Sequence, residues 1–391
     1  MSVLVLAVGS FTVIGASAMA PLISEALGLS EVGVGAIASV AYFGALLTAP
    51  LAGRLTDRSG PARVILLGLL ALAAGNLVAG LAWHAVVLYV GILIAGFGYG
   101  AVNPATTVLS NPATARRRAL VMSVKQAGVP AGGIVAGAVL PVLALAFGWR
   151  WAFALSMLVC LVVALGIKLR GGYVVQGTRR SSAPHHPGRR LRLPIGYAFG
   201  LMIAGVQVSI FAFTAVYLVD VRDLSTSSAG LGVSTLLVGG VLGRLFWGWL
   251  SDLFPSHRLL TLEGISLLGA VFLVGLLTAP DALVPLALVC LGVCSVGWNG
   301  VYIAVVAEST DPDRVGRSMG AALALINAGA IAFPIAIGAL VAWTSSWTAG
   351  LLALAALSLL ATIVARFGSE AGDPSDVVVD DAQGSAEGGW G

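Results

Sequence analysis

Charge is what this chain has least of: Asp, Glu, Lys and Arg make up 10% of its 391 residues, against 58% hydrophobic. Soluble domains carry roughly 25% charged residues, so a scarcity of this size excludes a water-facing globular surface. Histidine and cysteine are rare as well, at four and three residues. His84, His185, His186 and His257 fall between the apolar runs, and no His or Cys spacing builds a metal site, so neither a metal nor another cofactor is expected. Cys160, Cys290 and Cys294 lie inside apolar runs and read as packing residues. Those runs contain no paired nucleophile and base, and no acid/base couple, which argues against an enzyme. The N-terminus has no basic stretch of the kind that precedes a cleaved secretory signal.

What the chain does have is long apolar sequence, with a mean hydropathy of +0.99. A bilayer-spanning helix needs about 20 predominantly apolar residues, and twelve such runs are readable, near 3–24, 33–52, 62–83, 86–107, 119–146, 150–169, 195–219, 227–250, 259–279, 283–306, 316–343 and 347–366. Six fall in each half. The fifth and eleventh are long enough to tilt or to project past the lipid. Glycine occurs 51 times, often inside the runs, where a small residue lets neighbouring helices approach and slide.

Positive charge collects in cytoplasmic loops, and placing both termini in the cytoplasm puts 17 of the 21 Lys and Arg on that side. Arg150 and Arg222 fall outside, and Lys125 and Arg244 lie within apolar runs. The net charge of +4 therefore describes topology and gives no sign of nucleic-acid binding. Arg outnumbers Lys 19 to 2, a composition suited to a bacterial inner (plasma) membrane. The expected organisation is a six-helix bundle over residues 1–170, a Gly-, Ser-, Pro- and Arg-rich cytoplasmic linker over 171–193, a second six-helix bundle over 194–367 and an acidic, disordered tail over 368–391.

One segment occurs twice. GRLTDRSGPAR at 53–63 returns as GWLSDLFPSHR at 248–258, so that Gly53, Asp57 and Arg63 correspond to Gly248, Asp252 and Arg258 at an offset of 248 − 53 = 195. Internal duplication with matching apolar runs is typical of secondary transporters. The first copy, Gly53, Asp57, Arg58, Gly60 and Arg63 in order, resembles the signature between the second and third helices of the major facilitator superfamily. That resemblance implies an all-α integral membrane fold with twelve transmembrane helices in two pseudosymmetric six-helix bundles, rocking about a central site. It also implies a cytoplasmic latch, in which Asp57 meets Arg118 or the start of the eleventh helix near Arg317, where the helix dipole favours an anion. Asp252 would serve the other half, although the second copy has Leu253 and lacks the second Gly.

Two cations lie deep. Arg244 is eight residues before Asp252, roughly 12 Å from the end of its helix, and Lys125 is seven after Arg118, about 10 Å in. No carboxylate is as deep; Glu263, five residues beyond Arg258, is the nearest and is expected to pair with Arg258. A cation buried in a membrane marks a pathway and has a partner, and here the substrate itself is the expected partner. Arg244 also resembles the anion-binding arginine of monocarboxylate transporters, and its planar fork suits a carboxylate, with Lys125 adding a point charge. Helix-to-helix satisfaction by carbonyls is the competing reading for Arg244, and snorkelling for Lys125. Asn103, Gln126, Gln207, Trp298, Asn299 and Tyr302 complete the polar candidates near mid-membrane.

The expected function is movement of a small anion, an organic carboxylate, by alternating access in a monomer within the lipid bilayer, with a proton or counter-anion as coupling partner. The alternative is proton-driven efflux of hydrophobic or cationic drugs. Gly128, Pro130, Gly132 and Gly133 resemble the Gly- and Pro-bearing bend of such exporters, but Val129 stands where that signature has Gly, and the first and fourth runs offer no carboxylate to carry a proton.

Overall fold

The computed structural model describes residues 1–109, 118–169, 190–191, 193–310, 315–367 and 369–370, and at Asp57, Arg118 and Arg317 only the backbone. Most of the linker and of the acidic tail thus lies outside the described residues. The first apolar run forms two helices, α1 (Ser2–Ala18) and α2 (Ala20–Leu27), bent by 55°. Pro21 stands at the start of α2, where it has no N–H to give the Ser17 carbonyl and its ring crowds that oxygen, which favours a bend there. The next five runs are α3 (Glu31–Ser59), α4 (Pro61–Gly80), α5 (Ala85–Leu109), α6 (Arg118–Phe147) and α7 (Trp149–Leu169). The second half follows with α8 (Leu193–Asp220), α9 (Thr226–Leu253), α10 (Arg258–Thr278), the interrupted pair α11 (Val284–Gly297) and α12 (Asn299–Glu308), α13 (Val315–Thr344) and α14 (Trp347–Phe367). With each interrupted run counted as one crossing, the described residues hold twelve candidate spans. Helices α6 and α13 have 30 residues each, about 45 Å of helix, and exceed a hydrocarbon core of about 30 Å.

Large apolar side chains point outward along the whole bundle, Leu51, Val162, Leu242 and Leu286 among them, as a lipid solvent requires. Helix pairing repeats across the duplication. In the first half α1 packs on α6, α3 on α5 and α4 on α7; in the second, α8 packs on α13, α9 on α11 and α10 on α14, the same pairs shifted by one half. The halves meet through α6 against α9 and α3 against α13, which are also each other's counterparts. This is two-bundle pseudosymmetry read from contacts.

That interface is closed most tightly away from the duplicated segment, at what is here called the far end; the other is the motif end. A Cβ on Gly35 would lie 2.4 Å from the Pro334 carbonyl oxygen, one on Gly338 2.5 Å from that of Glu31, and one on Gly230 2.4 Å from that of Gly137. At the motif end, Gly53 of α3 and Gly320 of α13 have nothing within 4 Å of such a Cβ. A far-end vestibule of about 360 Å³ is lined by Glu25, Glu31 and Asp220, so these carboxylates are remote from both deep cations.

The two copies of the motif turn differently. Gly60 adopts φ +83°, the left-handed region that favours glycine, and leads into Pro61 at the start of α4. Pro255 occupies the equivalent position in the second copy and opens a 3-10 turn, Pro255–His257. The missing glycine is thus matched by a turn that has no need of one. Arg190–Leu191, from the linker, pairs antiparallel with Ser369–Glu370, from the tail, as a two-residue ladder. The expectation of unstructured segments on both sides therefore changes at these four residues.

Candidate functional site

Arg244 is 6% exposed on α9 and bonds in two directions. Its Nε donates to the Val296 carbonyl at 3.2 Å, and its Nη1 donates to the Gln126 carbonyl on α6, in the other half. Helix defects make both acceptors available. Gln126 lies four residues before Pro130, which has no N–H to give it. Val296 lies in the last turn of α11, just before the break at Trp298, where carbonyls have no intrahelical donor. Among the described residues no carboxylate is ion-paired with Arg244. A buried guanidinium is thus held by two neutral carbonyls, one from each half of the molecule.

Two residues that sequence reasoning passed over belong to the surroundings of Arg244. Tyr42 on α3 and Tyr99 on α5 meet edge to face with ring centroids 6.3 Å apart, within electrostatic reach of Arg244. Their signal was available: both are phenols well inside apolar runs, at the depth that drew attention to Asn103 and Tyr302.

Lys125 is 3% exposed and turned toward α5 in its own half. Its Nζ donates to Asn103 Oδ1 at 3.0 Å and to Thr107 Oγ1 at 2.6 Å. This local cradle holds the ammonium inside the protein. The adjacent residue, Gln126, has its side-chain Oε1 buried with no hydrogen-bond partner among the described residues. An acceptor left in that state is costly unless something donates to it.

A third group lies wholly in the second half. Gln207 Oε1 on α8 accepts from Trp298 Nε1 at 2.7 Å and from Asn299 Nδ2 at 3.4 Å. Trp298 and Tyr302 are each 1% exposed; Tyr302 stacks on Phe199 and donates to the Gly196 carbonyl at 3.2 Å. These two aromatics are core, and Asn299, half-buried, is the open edge of the group. Gln207→Leu keeps the volume but strands the Trp298 N–H, at a cost of about 1–3 kcal/mol. A melting temperature lowered by several degrees, read in detergent, is the expected result.

Helix α6 runs unbroken through the Gly128–Gly133 segment. Gly128 and Gly132 face α1, where a Cβ would lie 2.5 Å from the Val3 oxygen and 1.9 Å from the Ala7 oxygen; Gly133 faces Leu237 of α9 at 2.5 Å. The segment therefore supplies close-approach surfaces on both sides of α6.

At the motif end Arg258 is the hub of the second copy. It bridges Asp252 at 3.0 Å and Glu308, tying the end of α9 to the end of α12, and its Nε reaches the Ser251 carbonyl at 3.3 Å. Glu263 is not its partner, contrary to expectation: that carboxylate pairs with Arg366 at 3.4 Å. The reason is geometric, since Glu263 and Arg366 lie on the packed pair α10 and α14, while Asp252 and Glu308 already occupy Arg258. In the first copy Arg58 and Arg63 are exposed. The side chains of Asp57, Arg118 and Arg317 lie outside the described residues.

The sequence model of the Major Facilitator Superfamily matches residues 1–297 and 197–385. A gentisate transporter of Corynebacterium glutamicum is 27% identical over 360 residues, 85% of this chain and 80% of that protein. A hexuronate transporter of Bacillus subtilis strain 168 is 26% identical over 384 residues, 90% of this chain and 89% of that one. In fold, the chain resembles a bacterial homolog of the human lysosomal transporter Spinster in an inward-facing, occupied conformation, with a TM-score of 0.72, 14% identity and coverage of 94% and 95%.

Proposed function

The chain belongs to the Major Facilitator Superfamily, and on that premise we propose that it is a secondary transporter moving a small organic carboxylate by alternating access across a bacterial inner membrane. The observation that carries this reading is Arg244: a guanidinium buried at the interface of the halves and paired with no carboxylate among the described residues. Burying a cation without a counter-charge is expensive, and an anionic substrate meets that cost in the transport cycle. The guanidinium takes the carboxylate through its fork. Lys125, with Asn103 as its holder, adds positive potential, and Gln126 Oε1 is an acceptor for a substrate hydroxyl. Asn299 presents the second-half wall, held by Gln207 and backed by the buried Trp298 and Tyr302. Gentisate and hexuronate, after which two relatives are named, are both organic anions.

The motif end faces the cytoplasm in this reading, because most of the Lys and Arg lie on that side, and the tight far-end packing is then a closed external gate. The bundles span 1–170 and 194–367, the linker 171–193 and the tail 368–391. One chain supplies both faces of the interface, so a monomer suffices. A proton carried on the acid, or a second anion in exchange, resets the site. Drug efflux is disfavoured: among the described residues no carboxylate stands beside Arg244 or Lys125 to carry a proton or hold a cation.

Purified protein in liposomes is expected to accumulate a radiolabelled hydroxylated carboxylate and to leave cationic drugs untouched; the reverse pattern would overturn the assignment. Asp57 belongs to the moving latch and not to the site. Asp57→Asn is therefore expected to retain anion affinity while lowering the uptake rate about tenfold, the scale of a coupling term of 1–3 kcal/mol.

A further inference from the structure

Helix α6 contains two prolines eleven residues apart, Pro130 and Pro141. Each deprives the carbonyl four residues earlier, at Gln126 and Gly137, of its helical donor. Eleven residues are three helical turns, so the two freed oxygens lie on one face, and that face packs on α9. Gly137 O lies against Gly230, and Gln126 O receives Arg244 Nη1. Between them, Ser234 Oγ of α9 donates to Ile134 O of α6 at 2.7 Å. Of these three inter-half contacts, only the Arg244–Gln126 bond uses a charged side chain.

We propose that Pro130 is a positioning residue that makes the Gln126 carbonyl a surrogate for the substrate anion: the empty carrier ties α9 to α6 through Arg244, and an arriving carboxylate displaces the carbonyl and unties the halves. This rests on the reading of Arg244 as the anion site. The chemistry is an exchange of acceptors. A neutral carbonyl is a weaker partner for a guanidinium than a carboxylate, whose charge-assisted, two-oxygen contact is roughly twice as strong, so the substrate wins the competition but binds less tightly than to a free arginine. The same competition ties binding to motion, because the bond that is lost is one that crosses the interface. Without Pro130 the carbonyl regains an N–H donor from within α6, and its bond to Arg244 weakens whether or not substrate is present.

The test compares wild type, Pro130→Ala, Pro141→Ala and Arg244→Ala in detergent, titrating gentisate and a hexuronate as probes. Spin labels at the exposed motif-end positions Leu55 of α3 and Leu323 of α13 report the separation of the halves. Pro130→Ala is expected to bind its anion about tenfold more tightly, because the fraction of carriers with a free arginine rises, and to show without ligand the separation that wild type shows only with it. Liposome uptake then has a lower KM and a lower kcat, a split that simple loss of packing does not produce. Pro141→Ala restores a donor to Gly137 alone and is expected to keep wild-type affinity. Equal tightening by both proline variants would assign the effect to helix straightening and overturn the proposal. Wild-type affinity and separation in folded Pro130→Ala would overturn it as well. Should Pro130→Ala fail to fold, Pro130→Gly restores the same N–H with less bulk and is judged by the same outcomes. If wild type and Arg244→Ala bind the probes alike, the anion site itself is wrong; if they differ while Pro130→Ala matches wild type, only the exchange is wrong.

Discussion

Arg244→Ala is expected to abolish carboxylate uptake in liposomes while leaving a folded carrier. The two consequences have separate causes. Removing the side chain removes the desolvation cost of a buried cation but leaves the Gln126 and Val296 carbonyls without that donor, so the two effects oppose and the net change in stability is modest. Binding has no such compensation. A buried carboxylate that loses its hydrogen-bonded guanidinium loses about 3 kcal/mol or more, on the order of a hundredfold in affinity. Arg244→Lys keeps the charge and gives up the planar fork, so it is expected to fall between, with uptake detectable only at high substrate. Initial rates over a range of substrate concentrations for the three proteins check the order.

Gly132→Ala is expected to prevent assembly of a stable protein, although it adds a single methyl group. The added Cβ would lie 1.9 Å from the Ala7 carbonyl oxygen and 2.5 Å from Ser10 Oγ. The first obstacle is helix backbone and cannot swing aside. The second already donates to the Val129 carbonyl at 2.7 Å, so displacing it breaks a contact between α1 and α6. In a membrane these two helices are held by close van der Waals approach and interhelical hydrogen bonds, with no hydrophobic drive to reunite them. Overpacking alone costs about 1–3 kcal/mol, and a methyl against backbone belongs at or above the upper end. Gly53→Ala, with open space around its Cβ, is the matched control and is expected to give a monodisperse peak with a near wild-type melting temperature. Size-exclusion profiles of the two variants make the comparison.

The spans and the duplication were legible because a bilayer imposes a length and a polarity on every crossing, and because a 195-residue offset needs only identities to be seen. Less legible were partners set by packing. Arg244 is buried, as its place inside an apolar run suggests, but the acceptor it meets depends on which face of α6 lies against α9 and on the consequence of Pro130 one turn away. Tyr42 and Tyr99 come from α3 and α5 and meet only in the fold. Glu263 stood five residues from Arg258, and proximity in sequence suggested a pair; packing of α10 on α14 gave it to Arg366 instead. The bend at Met19 was implicit in Pro21 and was missed because a single apolar run conceals an interruption that leaves hydropathy unchanged.

The central claim is that Arg244 is an anion site, and the most direct test is a melting-temperature titration of purified wild type and Arg244→Ala against mono- and dicarboxylates, nitrate and cationic drugs. A ligand of the folded state stabilises it by about 2.7 kcal/mol at a hundred times its Kd. Stabilisation of wild type by a carboxylate, absent in Arg244→Ala and absent with drugs in either protein, is the predicted result. Stabilisation by cationic drugs alone, equal in both proteins, would contradict it and return Arg244 to a purely structural tie between the halves.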